Sequence, residues 1–502
     1  MQWTDEQLPI IESDARKILV KAYAGTGKTT VLVGHSEFHR NERILYIAFN
    51  KDVVTAAKKR FPRNVTCATS HGLAYREIGD LYKHKLINNL RLTDISKLMN
   101  TRNWELVRDV VDVLKTYMCS ADSDFLPEHL SRLKDKDLNS REFAHISMAI
   151  QHARHVWRRM CDQQDREARL THDGYLKLWL LGNPNIKYKY NKIMLDEAQD
   201  TNKLLSQFIY QQFLNGCKIV IVGDTHQQLY RFRGADNALE EDWLADAHLS
   251  RLTQSFRFGF GAAYVANAIL ALKGETIPLQ GFGEKTQIKR DLPAGLEHRT
   301  YLCRTVAGVI EAALGCLPNM DANGNPQPGS VEERIYWAGK IESYSLNEIL
   351  DLYWFSINKI DQIKNFQLTK DYVDFAQYKE IADATDDNEM GRSLRILDNH
   401  GGSLPAKIKA LEKATVEDEM SATVTLSTGH KAKGLEWPAV QLWDDFLYDP
   451  FATPKKGEDP KRRDDELNLL YVVSTRAMQY LALCPMLITI LQHAKDQRTG
   501  SL

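Results

Sequence analysis

The chain has 502 residues, 43% hydrophobic and 26% charged, a length beyond one core that predicts roughly three or four subdomains of a water-soluble protein. Its 65 basic and 66 acidic residues leave a net charge of −1, so a nucleic-acid partner has to be met by a local basic groove and not by overall charge. The cysteines, at 67, 119, 161, 217, 303, 316 and 484, are odd in number and form no C-x-x-C, which argues against a disulfide framework or a cysteine-built metal centre; with no signal peptide at the N-terminus and no run near the ~18 apolar residues of a membrane span, a cytoplasmic protein without a membrane partner is expected.

In chain order, Thr4-Asp5-Glu6-Gln7 reads as a helix start with Thr4 as its cap. Residues 22–30, Ala-Tyr-Ala-Gly-Thr-Gly-Lys-Thr-Thr, lie between an apolar run at 18–20 and Val31-Leu32-Val33, the strand–turn–helix context in which backbone N–H groups and a helix N-terminus bind phosphate. In that loop Ala24, Gly25, Thr26, Gly27 and Thr30 would line a nucleotide, Lys28 would reach the β- and γ-phosphates, and the Thr29 hydroxyl would ligate Mg²⁺. Ala22 stands where the common pattern G-x-x-x-x-G-K-[ST] has its first glycine.

Residues 43–49 and 65–68 read as buried strands with a helix between them, and Thr69-Ser70-His71-Gly72 follows the second. From 81 to 170 helical spacing replaces the strand pattern, and a basic run at 152–159 is explained by a solvated helix face as well as by a phosphate contact. An apolar strand at 192–195 then ends in Asp196-Glu197-Ala198-Gln199-Asp200; paired carboxylates there suit a metal ligand followed by a water-activating base. The strand 218–223 runs into Asp224-Thr-His-Gln227-Gln-Leu-Tyr230-Arg-Phe232-Arg233-Gly-Ala235.

A second α/β unit is expected from about 246, with Gln254-Ser255-Phe256-Arg257, a helix over 260–273, a strand over 299–303 and a helix over 306–314. Residues 321–330 form the clearest turn-rich loop, and 342–415 reads as helical. Strands are expected again at 422–426, 439–443 and 480–484, a charge-rich mobile stretch at 449–465, and a helix over 466–477 that contains Ser474-Thr475-Arg476-Ala477. Alternating strands and helices argue for parallel sheets covered on both faces.

Taken together these segments resemble superfamily 1 DNA helicases of the UvrD/Rep type over almost the whole chain. The matching set is Gln7, the loop to Thr29, Ala48-Phe49-Asn50-Lys51, Thr69-Ser70-His71, residues 196–200, 223–235 and 254–257, the stretch 430–437 with Glu436, and 470–477, all in the family's order. Tyr46 to Lys51 and Thr171-His-Asp-Gly-Tyr-Leu-Lys-Leu-Trp179 look most like the F-box DNA helicase branch, although an F-box is not expected in a chain that starts almost at the first motif, and a bacterial or phage source is expected instead.

The resemblance implies an α/β fold of two RecA-like parallel-sheet P-loop domains, each with a mainly helical insertion. Residues 1–80 and 171–245 would form motor domain 1A, 81–170 insertion 1B, 246–341 and 416–502 motor domain 2A, and 342–415 a small insertion 2B. It implies ATP and Mg²⁺ as cofactors. Gln7 would read the adenine edge, Phe256 stack on its ring, and Glu436 contact the ribose. Asp196 would join Thr29 at the metal, Glu197 activate water, and Gln227 sense the γ-phosphate. Arg257 and Arg476 would act as arginine fingers, a device worth about 10³–10⁵ in rate. Phe49, His71, Phe232 and Arg233 would hold single-stranded DNA by stacking and phosphate contact, with Phe232 where the family commonly has Trp.

Two departures bear on function: Leu426-Ser-Thr-Gly-His430 is one residue longer than the family's usual segment, and 342–415 is short for the insertion that tunes unwinding. The implied activity is that of a 3′→5′ single-stranded DNA translocase and helicase in repair, recombination control or phage defence, on single strands or single-strand/duplex junctions. A nuclease or recombination protein is a possible partner. A nucleotide-gated DNA-binding switch and a protein-displacing translocase with little unwinding are the alternatives.

Overall fold

The computed structural model describes residues 2–48, 50–133, 139–318, 333–385, 387–454 and 459–499. The turn-rich loop at 321–330, Phe49, and part of the charge-rich stretch at 449–465 lie outside the described residues. Two compact units divide the chain, Met1–Leu252 and Thr253–Leu502.

The first unit is built on six parallel strands: β1 (Lys17–Ala22), β2 (Ile44–Ile47), β3 (Val65–Ala68), β4 (Lys192–Leu195), β5 (Lys218–Gly223) and β6 (His248–Leu252), in the order β3-β2-β4-β5-β1-β6. Every residue of β2 and β4 is buried, as strands covered on both faces must be. Alternate side chains then enter separate cores. Leu45, Ile47, Ile193, Leu195, Ile219 and Ile221 belong to one; Ile18, Val20, Ile44, Tyr46, Met194 and Val220 belong to the other, together with Ile10, Val31 and Leu32. The edge strand β6 lies beyond position 246, where the sequence alone starts the second unit.

Between β3 and β4 the chain is mainly helical, with Leu92–Met99, Trp104–Cys119, Ser140–Cys161 and His172–Leu181 as its principal helices and a two-stranded pairing of Leu86–Ile87 with Leu170–Thr171. Its apolar stripe, Val110, Val113, Leu114, Ala153, Val156 and Trp157, runs without a break into the first of the two sheet cores, so sheet and insertion share one interior. Local caps set where the helices begin: Asn50, Thr69, Asn103, Thr171 and Asn202 each accept a backbone N–H of the first turn.

The second unit carries a second all-parallel sheet: β7 (Gln287–Lys289), β8 (Arg299–Cys303), β9 (Ile335–Trp337), β10 (Val424–Thr428), β11 (Trp437–Leu442) and β12 (Ala477–Ala482), ordered β7-β12-β11-β8-β10-β9. The edge strands β7 and β9 have three residues each and give no pattern in sequence. Within 342–415 the described elements are all helical, Leu346–Ser356 to Leu404–Ala414. The helix expected over 466–477 runs instead from Arg462 to Ser474 and leaves Arg476 just past its end. The fold is thus α/β with two RecA-like parallel-sheet domains, each carrying a mainly helical insertion.

Candidate functional site

The loop after β1 has the geometry of an anion cradle. Gly25 and Gly27 take φ of +75° and +83°, the left-handed region that a side chain resists, and turn the chain sharply into the helix Lys28–Phe38. No side chain caps that helix at Gly27, so the N–H groups of its first turn remain for an anion. Ala22 is explained by its place: it is the last, buried residue of β1, where extended backbone needs no glycine. Thr26 braces the loop through its hydroxyl to the Tyr23 carbonyl, 2.9 Å.

The carboxylate pair stands at the end of β4, two strands from β1. Asp196, 3% exposed, accepts the Thr29 hydroxyl on Oδ2 at 2.9 Å, the buried Tyr46 hydroxyl on the same oxygen at 2.7 Å, and the Glu197 N–H on Oδ1 at 3.0 Å. Burial, then the Glu197 charge, pushes the Asp196 carboxyl above its ordinary range, with the two hydroxyls and Lys28 opposing. A divalent cation held by Asp196 and Thr29 would supply the positive charge such a buried acid favours, and the donor set is all oxygen, as suits Mg²⁺.

Glu197 is held in a left-handed conformation, φ +52° and ψ 44°, which costs a non-glycine residue about 1–3 kcal/mol and is kept where surrounding contacts enforce it. Those contacts are specific. Lys28 Nζ lies 3.8 Å from Glu197 Oε1, and Gln199 Nε2 donates to Oε2 at 2.6 Å. Gln199 Oε1 in turn accepts the Asp224 N–H at 3.0 Å, and Asp224 Oδ2 accepts Gln227 Nε2 at 2.6 Å. A continuous run of bonds therefore joins Thr29, Asp196, Glu197, Gln199, Asp224 and Gln227 across the ends of β1, β4 and β5.

Gln7 is buried against this loop: an added Cβ on Gly27 would meet its Nε2 at 3.5 Å. Thr4 and Gln7 make reciprocal bonds, Gln7 N–H to Thr4 Oγ1 and Thr4 N–H to Gln7 Oε1, that close the turn ahead of the helix Leu8–Glu12; the helix thus starts later than expected, with Gln7 and not Thr4 at its N-cap. The Thr30 hydroxyl accepts from Arg60 Nη2 at 2.8 Å.

Two of the residues expected at DNA also share a neighbourhood. His71, in the first turn of Ser70–Glu77, bonds through Nε2 to Asp173 Oδ1 at 3.0 Å. Phe232, 70% exposed, lies in the short turn Arg231–Arg233, its ring 6.3 Å from that of Tyr230. Gly234 closes that turn with φ +80° so near the insertion that a Cβ would stand 2.7 Å from Cys119 Cβ. Burial, with the Asp173 charge adding to it, pushes the Cys119 thiol up to about 12. Arg233 contributes its backbone to the turn, and Phe49 lies outside the described residues.

In the second unit Phe256 is 44% exposed, in edge contact with Phe282 at 5.9 Å. Arg257 Nε donates to Glu436 Oε2 at 2.5 Å and its Nη1 to the Thr475 carbonyl at 3.3 Å, which brings three of the singled-out segments together. Arg476 is 1% exposed; its guanidinium donates to the carbonyls of Val472 and Leu435 and to Thr475 Oγ1, closing the end of the helix Arg462–Ser474. Thr428, in the lengthened segment, accepts the Lys431 N–H on its hydroxyl at 3.3 Å. Sequence reasoning missed the positions of Tyr46 and Gln199 in this arrangement: a Tyr inside an apolar strand carries no signal of an acid partner 150 positions away, while Gln199 was marked only by its place in the acidic motif.

The comparisons with known proteins agree with this geometry. Residues 3–242 match the UvrD/REP helicase N-terminal domain and residues 340–486 the UvrD-like helicase C-terminal domain. F-box DNA helicase 1 of Gallus gallus is 31% identical over 95% of this chain and 48% of its own length. F-box DNA helicase protein 1 of Schizosaccharomyces pombe is 29% identical over 96% of this chain and 57% of its own length. DNA helicase II of Escherichia coli is 24% identical over 53% of this chain and 40% of its own. The chain spans about half the length of the F-box relatives. With both family domains matched in order around a phosphate loop, an acid pair and a polar relay, the chain belongs to the UvrD/Rep family of helicases.

Proposed function

We propose that this chain is an ATP-dependent DNA motor, a 3′→5′ single-stranded DNA translocase and helicase. The observation that carries the reading is the unbroken run from Thr29 through Asp196, Glu197, Gln199 and Asp224 to Gln227, which ties a phosphate loop to a metal-suited acid, a second acid and a polar sensor. The relatives named as DNA helicases support DNA as the substrate.

In this reading residues 24–30 and Gln7 hold ATP, and Thr29 and Asp196 hold Mg²⁺, which when bound neutralises phosphate charge. Glu197, its carboxylate aimed by Gln199 and by its strained backbone, takes the proton of the attacking water; such a base contributes about 10²–10⁴ in rate. Gln227, tethered to Asp224, reports the γ-phosphate to the turn that bears Phe232 and Arg233, five residues on. Among the second unit's residues, Phe256 is assigned to the adenine and Glu436 to the ribose, and Arg257 and Arg476 are assigned as fingers, a role that requires the buried Arg476 to exchange its bonds to the Val472 and Leu435 carbonyls for phosphate. His71, Phe232, Arg233 and Phe49 grip the single strand. Repair, recombination control or phage defence in the cytoplasm, with a nuclease or recombination protein as partner, is the setting proposed; among the described residues no helix is long and apolar enough to cross a membrane.

The test is ATP turnover with and without single-stranded DNA, beside strand displacement on duplexes with 3′ or 5′ tails. Turnover should rise strongly with DNA and displacement should require a 3′ tail. Glu197→Gln should keep ATP binding and lose turnover. Equal turnover with and without DNA overturns the reading; stripping of bound protein without strand separation reassigns the motor to protein displacement.

A further inference from the structure

We propose that Asp173 is a positioning residue that holds His71 for its contact with single-stranded DNA. The inference rests on the reading of His71 as a DNA contact. Asp173 occupies the first turn of the helix His172–Leu181, whose N-cap Thr171 accepts the Gly174 N–H. A carboxylate there has an ordinary role, since it complements the positive end of the helix. Three observations go beyond that role.

First, the carboxylate is directed at a particular partner. Asp173 Oδ1 accepts His71 Nε2 at 3.0 Å, and His71 itself lies in the first turn of Ser70–Glu77, capped by Thr69 through the Gly72 N–H at 2.9 Å. Two capped helix starts therefore meet at this pair, and both bring positive dipole ends to a place suited to a phosphodiester. A carboxylate half-exposed at such a place would repel phosphate, so its presence calls for a compensating use.

Second, the ring is fixed from two sides. Tyr175 meets it edge-on with centroids 6.1 Å apart, and Tyr175 is itself braced by Tyr75 at 5.8 Å and by a bond between its hydroxyl and His172 Nδ1 at 3.2 Å. With Nε2 directed at an acid, the proton is assigned to Nε2, and Nδ1, a lone-pair acceptor, is the nitrogen left for an N–H donor on a base of the strand, such as thymine N3. Among the described residues His71 Nδ1 makes no hydrogen bond. An imidazole held in one orientation and one tautomer pays little ordering entropy when DNA arrives.

Third, the same neighbourhood supports the second DNA element. Thr171, the cap of the helix that bears Asp173, donates its hydroxyl to Met118 Sδ at 3.3 Å, and the next residue, Cys119, is the one against which Gly234 closes the Phe232 turn. One end of the helical insertion thus underlies both His71 and Phe232, with Asp173 at the junction.

Binding of a fluorescein-labelled oligo(dT), followed by anisotropy, tests this with five proteins: wild type, His71→Ala, Asp173→Ala, Asp173→Asn and the double alanine variant, each checked for an unchanged thermal melt. Asp173→Ala should weaken binding about twofold to tenfold, the cost of ordering one side chain. Asp173→Asn, which keeps an acceptor oxygen in place, should restore most of it. The double variant should bind no more weakly than His71→Ala, because Asp173 acts through His71. Equal losses for Asp173→Ala and Asp173→Asn, or losses that add to that of His71→Ala, overturn the positioning role and leave His71 as a contact. Wild-type binding by His71→Ala overturns the DNA role of His71 itself, and this inference with it.

Discussion

Tyr46→Phe removes one oxygen from the site and nothing else, since the ring keeps its place in the buried strand β2. The lost bond is the 2.7 Å donation to Asp196 Oδ2, and a hydrogen bond to a charged group is worth about 1.5–3 kcal/mol. That energy acts on one form of Asp196 only. The Tyr46 hydroxyl favours the ionised carboxylate and pulls down a pKa that burial holds above the ordinary range, so its loss raises that pKa further. A carboxyl with a higher pKa is protonated at higher pH, and the acid limb of the turnover profile should move upward. A proton on Oδ2 also excludes a cation, so half-saturating Mg²⁺ should rise by about tenfold, the lower end of that range converted at 1.36 kcal/mol per decade. Thr29 still donates to Oδ2, so the carboxylate keeps a partner there and the loss of folding stability should stay near the lower end of that range, about 1.5 kcal/mol. ATP turnover titrated with Mg²⁺ at several pH values reads both effects. A folded variant with the wild-type Mg²⁺ curve and acid limb would refute the assignment of Asp196 Oδ2 to the metal.

Gly234→Ala should destabilise the protein by about 1–3 kcal/mol and weaken DNA binding, because the residue needs φ +80° and a Cβ would press into Cys119; a wild-type urea midpoint would contradict this. His35 should stay neutral while the protein is folded. Its pKa is lowered from 6.5 to about 3 by burial first and Lys192 second, with Nδ1 bonded to the Ile10 carbonyl and Nε2 beside Lys192 Nζ at 2.8 Å. The unfolded chain takes up that proton below 6.5 and the folded chain only near 3, so stability is lost as pH falls through this window, at up to about 1.4 kcal/mol per pH unit. NMR of the ring should show no titration in the folded protein, and a folded-state midpoint near 6.5 would overturn the reading.

What the sequence made legible is what neighbouring residues decide. The glycines of the phosphate loop, the apolar run of a doubly covered strand and the Thr69 or Asn202 cap are each set within a few positions, so their geometry could be read along the chain. Short edge strands escaped because three residues of β7 or β9 carry no period. The end of the helix at Ser474 escaped because Arg476 closes it through carbonyls on Val472 and on Leu435, and the second of these is 41 residues away. The site shows the same division. Lys28, Thr29, Asp196 and Glu197 announce themselves by type and spacing; Tyr46 and Gln199, which decide how the two acids are charged and aimed, are ordinary residues until the sheet order β2-β4-β5-β1 sets them beside the acids.

That division has a consequence for how the first unit works as one body. The chemistry-bearing residues lie at the ends of β1, β4 and β5, whereas His71 and the Phe232 turn rest on the helical insertion through Asp173 and Cys119. Insertion and sheet share a single core, from Leu45 and Ile193 to Val113 and Trp157, and close-packed interiors shift between discrete arrangements more readily than they deform. Only four residues separate Gln227, whose side chain donates to Asp224, from Phe232, and Gly234 at the end of the Phe232 turn packs closely beside Cys119. In the proposed motor, a change at Gln227 would be passed to the turn that bears Phe232. The insertion would then be the body against which the proposed motor converts nucleotide state into grip, and substitutions at Cys119 or Gly234 should alter the coupling of DNA binding to ATP turnover more than either activity alone.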